Sequence, residues 1–321
     1  MDSNELIQRY QAGERDFSGV EFEYIELSNI SLEEINLGNC NLSRAKLQNV
    51  NLNNANLSNA QLISTEVENT TFRNANLSHV NLEGISWQNI DLSNADLTDT
   101  NYDHSTIQNS NLTNANLTEI DGFKSTFLDC NLTAANISHA QLSEVNFDNC
   151  NLSNINLSHT TFYDVYIEGS NLSNADFSNA HIKAMSGWSE ANYTDVNFQD
   201  ALYLDPEDLP PDIELDEAGL MFIGPETDLS GKDLRNVDLS ESELYSANLS
   251  NANLSGANLS EADLSDTNFT NAHLENTDLS DADLTNANLS NANLNNANLD
   301  GAIFENTIMP DGSIRSDEEE E

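Results

Sequence analysis

From Phe17 onward an apolar residue falls on every fifth position, through Phe22, Leu27, Leu32 and Leu37 to Ile182, and Gly122 is the one clear lapse. A second block starts at Leu229 and keeps the same spacing through Leu234 and Leu239 to Phe304. Between the blocks Trp188, Tyr193 and Phe198 hold the period but are shifted by one residue. Two residues before each central position stands a second restricted site, usually Ala and otherwise Val, Ile, Ser, Thr or Cys. Its charged exceptions, Arg15 and Lys232, each open a block. The other three residues of each unit are Asn, Asp, Ser, Thr, Glu or Gln almost throughout.

A period of five fits neither the turn of an α-helix nor the alternation of a strand. If the two restricted sites point inward and the remaining three point outward, the chain must turn a corner once per unit. Four corners close a square, so about 20 residues make one coil, and stacked coils pair through their main chains ~4.8 Å apart. The pattern predicts an all-β, four-sided parallel β-helix in two blocks. By the same spacing the first block would be ~40 Å long and the second ~19 Å.

The units Ala55-Asn56-Leu57-Ser58-Asn59, Ala95-Asp96-Leu97-Thr98-Asp99 and Ala252-Asn253-Leu254-Ser255-Gly256 resemble the pentapeptide-repeat family, whose motif is A-(D/N)-L-X-X. The resemblance covers most of the chain and implies a right-handed quadrilateral β-helix. The opening Ile7 to Phe17 and the later Ile308-Met309-Pro310-Asp311-Gly312 look like cyanobacterial members of that family. The expected organisation is a helical cap over 1–16, a first β-helix over 17–198, an acidic connector over 199–228, a second β-helix over 229–308, and a turn with an acidic tail over 309–321. In the cap, Asp2 or Ser3 can N-cap a short helix whose Leu6, Ile7 and Tyr10 recur at helical spacing. Ile308 to Gly312 reads as a turn closing the last coil, and the acidic run Asp317 to Glu321 should discourage docking there.

Composition sharpens this picture. Of 321 residues, 55 are acidic and 10 basic, giving a formal charge of -45, and only 38% are apolar. Such values ordinarily signal disorder, and the strict placement of the apolar residues is what overrides that signal. The charge excludes a basic nucleic-acid binder. No stretch approaches the roughly 18 apolar residues of a membrane span, and Met1 to Glu5 does not open a signal peptide, so a cytoplasmic protein is expected. Three cysteines, Cys40, Cys130 and Cys150, argue against a disulfide framework; Cys130 and Cys150 fall one coil apart, and buried free thiols are the simpler reading.

Residues 20 apart should superpose, which sorts the chain into columns. Val67, Trp87, Ile107, Phe127, Phe147 and Ile167 form a bulky inward column. Outward, His79, Asp99, Glu119, His139 and His159 share a column, but imidazoles on a flat exposed wall lack the supporting shell of a metal site, and a solvated ladder is the expected state. A neighbouring column holds Phe123, Ser143, Tyr163 and Lys183, with Tyr166 around the next corner. Phe123 either folds inward to plug the vacancy at Gly122 or stands outward with the tyrosines as a contact patch. In the connector, Glu207 and Asp208 lie in Asp205-Pro206-Glu207-Asp208-Leu209-Pro210-Pro211, ahead of an acidic stretch that helical structure would suit. No Lys or Arg occurs between Lys183 and Lys232, which makes this the most uniformly anionic stretch. The connector either covers an open coil or projects as an acidic arm.

No phosphate-binding loop, nucleophile elbow or zinc pattern is present, and a prism filled by its own side chains offers no dry concave site, so catalysis, cofactors and metals are not expected. The leading expectation is a non-enzymatic scaffold that binds a protein partner through rigid anionic faces. The alternative, implied by the quinolone-resistance members of the family, is a DNA mimic that binds a type II topoisomerase such as gyrase. Either would act as a monomer or weak homodimer, without contacting nucleic acid or membrane. Leu57→Asp should cost more than about 4 kcal/mol by burying an unpaired charge. Asn59→Asp should be nearly silent, and equal losses in urea unfolding would contradict the inward and outward assignment.

Overall fold

The computed structural model describes residues 1–213 and 218–316. The chain divides into two compact units, Met1–Leu220 and Met221–Glu321. Each is a parallel β-solenoid, and the first is preceded by a single short α-helix, Ser3–Gln11.

The corner is the element that makes the coil. In a typical unit the main-chain N–H of the small inward residue donates to the carbonyl of the preceding central residue, as Ala55 does to Leu52 at 3.1 Å and Ala60 to Leu57 at 3.0 Å. The residue just before that donor has positive φ: 57° at Asn54 and 58° at Asn59. A three-residue hydrogen bond closed over a left-handed third residue marks a type II turn. Asn and Asp supply most of these residues because their short polar side chains tolerate the left-handed region best among non-glycine types. Glycine takes the same place at Gly84, Gly169, Gly256 and Gly301.

The residue before each central position has a second task. Its side-chain oxygen accepts the N–H two residues on, as in Asn56 Oδ1 to Ser58 N at 3.1 Å and Asp91 Oδ1 to Ser93 N at 3.0 Å. At many positions where it is Asn, its amide also donates to the side-chain oxygen one coil earlier: Asn36 to Asp16 and Asn56 to Asn36, both at 2.8 Å, and Asn116 to Asp96 at 3.1 Å. These side-chain ladders run along the walls in one direction.

Coils stack at an interval of 20 residues. Val67 pairs with Trp87, Trp87 with Ile107, Ile107 with Phe127 and Phe127 with Phe147. All five are buried, and Phe127 and Phe147 stack with ring centroids 5.1 Å apart. Each enclosed side chain contributes roughly 1.5–3 kcal/mol. Polar residues at the small inward site are satisfied by carbonyls of the coil below: Thr160 by Ile137 at 2.8 Å, Ser170 by Phe147 at 2.7 Å, Thr267 by Leu244 at 2.8 Å. The buried Trp87 indole finds Thr65 Oγ1 at 3.0 Å.

Gly122 is inward and buried. The side chains of Leu142 and Val145 lie nearest the missing Cβ, at 3.5 Å, and Tyr102, one coil earlier in the same column, is 1% exposed with its ring 6.0 Å from that of Phe127. The Tyr102 hydroxyl has no hydrogen-bond partner among the described residues, and burial pushes its pKa up. Phe123 does not plug the gap. It is a partly exposed outward residue in register with Ser143, because a strand sends successive side chains to opposite faces and Gly122 already holds the inward one.

The one-residue shift near Trp188 is an insertion at a corner. Gly187 adopts φ 93°, the segment Trp188–Glu190 makes a single 3-10 turn, and coil pairing changes from 20 to 21, as in Asn171 with Asn192. A side chain at Gly187 would lie 2.8 Å from the backbone nitrogen of Glu168.

At the N-terminal end Asp2 caps the helix through Glu5 N, Leu6 is 1% exposed, and the Tyr10 hydroxyl donates to the Glu33 carbonyl at 2.8 Å. Arg15 turns away from the core and lies 3.8 Å from the Tyr10 ring. In the second unit, Met309–Ser313 forms a turn that brings Ile314–Arg315 antiparallel to Thr307–Ile308. The tail run 317–321 lies outside the described residues.

Gly187→Ala should cost about 2–4 kcal/mol, since it meets fixed backbone in a left-handed conformation. Gly122→Ala, whose new methyl would meet only Leu142 and Val145 side chains at 3.5 Å, should gain about 0.5–1 kcal/mol. Urea unfolding of the two variants measures both.

Candidate interaction surface

The wall that carries Phe123, Ser143, Tyr163 and Lys183 is built from in-register strands at Asp121–Phe123, Gln141–Ser143, Thr161–Tyr166 and His181–Ser186. Because their register is fixed, the four outward side chains form a column along the coil axis. Tyr163 is 41% exposed, and the Lys183 ammonium sits 5.2 Å from its ring centre. Two coils earlier Phe123 packs edge-on to His104 at 5.4 Å, with the Lys124 ammonium 4.7 Å from its ring. Lys124 also pairs with Glu144 at 3.5 Å.

His139 and His159 occupy the left-handed corner residues that lead onto this same wall, with φ of 62° and 58°. Their rings stack in parallel, 4.8 Å apart and 2° from coplanar orientation. Lower in the column His79 Nδ1 meets Asp99 Oδ2 at 2.8 Å. Among the described residues no three or more His, Cys, Asp or Glu side chains gather as metal ligands. Tyr166 lies around the next corner, 43% exposed, and the Asp164 carboxylate beside it raises its pKa.

Asp208 lies in a single 3-10 turn, Pro206–Asp208, beside the end of this wall. Its carboxylate accepts the Ala184 N–H at 2.9 Å, and its carbonyl accepts the Trp188 indole at 2.8 Å. Burial holds its pKa above the usual carboxylate range, with Asp205 adding to the effect. Asp208 is therefore tied into the last coil, whereas Glu207 beside it is exposed. With Leu202, Tyr203 and Leu209 buried, residues 201–209 close the end of the first unit. The expected helical stretch of the connector falls partly on 214–217, outside the described residues.

Sequence reasoning did not anticipate the bonds of Asp208. The spacing of 24 from Ala184 breaks the 20-residue rule, although that from Trp188 keeps it. The cysteines are buried free thiols. The Cys130 and Cys150 sulfurs approach the carbonyls of Ile107 and Phe127 at 3.4 and 3.3 Å, and burial pushes the Cys40 thiol up. A shallow groove passes Cys130, lined mainly by Asn89, Asn109, Asn111 and Asn131. No helix among the described residues is long and apolar enough to cross a membrane.

Two family models match. The pentapeptide repeat region model covers 15–86 and 35–117, and the pentapeptide repeats model covers 140–179, 226–256, 247–286 and 277–310. The chain belongs to the pentapeptide-repeat family. Solved pentapeptide-repeat structures are similar to it. One is HetL from the cyanobacterium Nostoc sp. strain PCC 7120, involved in heterocyst differentiation regulation. It is 22% identical, with coverage of 98% of this chain and 100% of HetL, at a TM-score of 0.24. A second is QnrB1, a plasmid-mediated fluoroquinolone resistance protein, 18% identical over 64% of this chain and 89% of its own, at a TM-score of 0.29. A third is Rfr23 from the cyanobacterium Cyanothece 51142, 23% identical over 49% of this chain and 97% of its own, at a TM-score of 0.19. No curated protein matches.

Asp208→Ala should destabilise the protein by about 1–2 kcal/mol, because Ala184 N–H loses its acceptor. Asp208→Asn keeps an oxygen there and should be close to neutral. The sign is definite: a carboxyl whose folded pKa is raised favours the folded state once protonated. Wild type relative to Asp208→Asn should therefore lose stability as pH rises through the carboxylate range. Thermal melts across that range measure the difference.

Proposed function

We propose that this pentapeptide-repeat chain is a non-enzymatic scaffold whose rigid anionic walls dock a basic surface of a protein partner. The observation that carries the reading is how its few cations are used. Arg9 pairs with Glu5 and Glu14, Arg44 with Glu23, Lys46 with Glu66, Arg73 with Asp91, and Arg235 with Asp233. Arg15 and Lys183 lie against Tyr10 and Tyr163. With 55 acidic residues against 10 basic ones, carboxylates far outnumber cations, and coil register fixes the positions of such residues as Glu243, Asp263 and Asp283. A preformed surface of one sign accelerates encounter with an opposite surface and loses little entropy on docking. The wall at Phe123 and Tyr163, with Tyr166 around the next corner and His139 and His159 at its edge, supplies exposed rings that can anchor such contacts. Exposed Glu207 adds charge at its end.

A DNA mimic acting on a type II topoisomerase is the second reading, favoured by the column Glu243, Asp263 and Asp283, which places one acidic residue per coil. Its charge density is lower than a duplex provides: one residue per ~4.8 Å, against a phosphate about every 3.4 Å on each strand. In addition, Asp263 and Asp283 are half-buried and spend oxygens on the N–H groups of Ser265 and Thr285. The scaffold reading is therefore preferred.

Affinity capture from the source cells, eluted by a salt gradient, tests the proposal. The bound protein should have a basic contact surface and release at least about tenfold more readily at high salt. Salt-independent capture would sink it. Inhibition of gyrase supercoiling at submicromolar protein would favour the mimic.

A further inference from the structure

The last coil of the second unit is built differently from those below it. In the coil before, the N–H groups of Leu274, Asn276, Leu279 and Asp281 donate to the carbonyls of Asn293, Asn295, Asn298 and Asp300 at 2.8–3.0 Å. The equivalent main-chain N–H groups of Leu294, Asn296, Leu299 and Gly301 have no acceptor among the described residues. The hairpin strand Ile314–Arg315 covers the Thr307–Ile308 side, and Arg315 lies 3.7 Å from the Phe304 ring, so that corner is closed. The two walls from Asn293 to Gly301 are not covered in this way. There Leu294 and Leu299 are only half-buried, while Leu274 and Leu279 beneath them are 0% exposed. Ile303 and Ile314 are 54% and 70% exposed at the same end.

We propose that these two walls form a docking edge for an extended, alternating basic and aliphatic segment of a partner protein, which adds as a further strand. This rests on the reading of the chain as an interaction scaffold and locates one of its contacts. An open sheet edge supplies the hydrogen bonds for an added strand, and the half-exposed leucines accept every second side chain. Charge selects the occupant. No Lys or Arg occurs between Arg235 and Arg315, and Asp300, Glu305 and Asp311 are exposed around the end. A second copy of this end would bring all these carboxylates against their own images, whereas lysines or arginines alternating with valines would meet them.

The probe is a fluorescent octapeptide of alternating Lys and Val, titrated into the full chain. It should bind, and N-methylation of alternate amides, which removes strand hydrogen bonds without changing charge, should weaken it at least about tenfold. An octapeptide of Lys and Ser with the same charge should be weaker by a similar factor. Leu294→Ser with Leu299→Ser should lose the preference for valine, with circular dichroism confirming the fold. Salt-sensitive binding indifferent to N-methylation and to the leucine substitutions would overturn strand docking while leaving the anionic scaffold standing. No binding of any basic peptide would overturn both. Concentration-dependent dimers in sedimentation, abolished by the leucine substitutions, would assign the edge to a second copy and overturn the proposal.

Discussion

Everything in this molecule depends on a backbone corner repeated every five residues. A left-handed conformation costs a non-glycine residue roughly 1–2 kcal/mol, and the chain adopts it in nearly every unit. The cost is offset locally by the turn hydrogen bond and by two inward side chains, and it falls least on Asn and Asp. Because the corners recur at one interval, the walls between them stay short and straight, and coils superpose residue on residue. The columns, the amide ladders and the fixed outward positions are all consequences of that interval.

The sequence displayed the period, the two inward sites, the 20-residue superposition and the shift at Trp188, since these are properties of spacing alone. It concealed that the three outward positions are unlike one another. Asn56 and Asn59 look interchangeable in a string of letters, yet one bridges coils through its side chain and the other bends the main chain. The density of Asn at both places was the available signal. Gly122 was legible as a vacancy. That the Leu142 and Val145 side chains approach it could not be read from spacing alone. Of the candidate surface, the Phe123 to Lys183 column and the stacked histidines followed from register. The attachment of Asp208 did not, because it crosses an insertion that ends the regular numbering.

The polar character of the chain and its solidity have the same origin. Small inward residues can be Ser, Thr or Cys because main-chain carbonyls of the same coil or the coil below accept from hydroxyls and thiols there, as Leu97 does from Thr100 and Ile137 from Thr160, so the interior tolerates polarity without being wet. A filled interior leaves only the walls and the ends for recognition. The walls offer charge at defined intervals, and the end of the second unit offers unpaired main chain beside half-covered leucines. The first unit, by contrast, closes its ends with a helix on one side and residues 201–209 on the other.

The abundance of asparagine would ordinarily make a protein chemically short-lived, since the side-chain amide is lost when the following backbone nitrogen attacks it to form a cyclic imide. Here that nitrogen is held. The N–H after Asn56 is bonded to the Asn76 carbonyl at 2.7 Å, and the N–H after Asn59 to Leu57 at 3.0 Å. Ring closure would require breaking the turn or the coil stacking first. The geometry that uses asparagine so heavily thus also shields it from ageing in the stacked coils, but not in the last one, where the N–H groups after Asn293, Asn295 and Asn298 have no acceptor among the described residues.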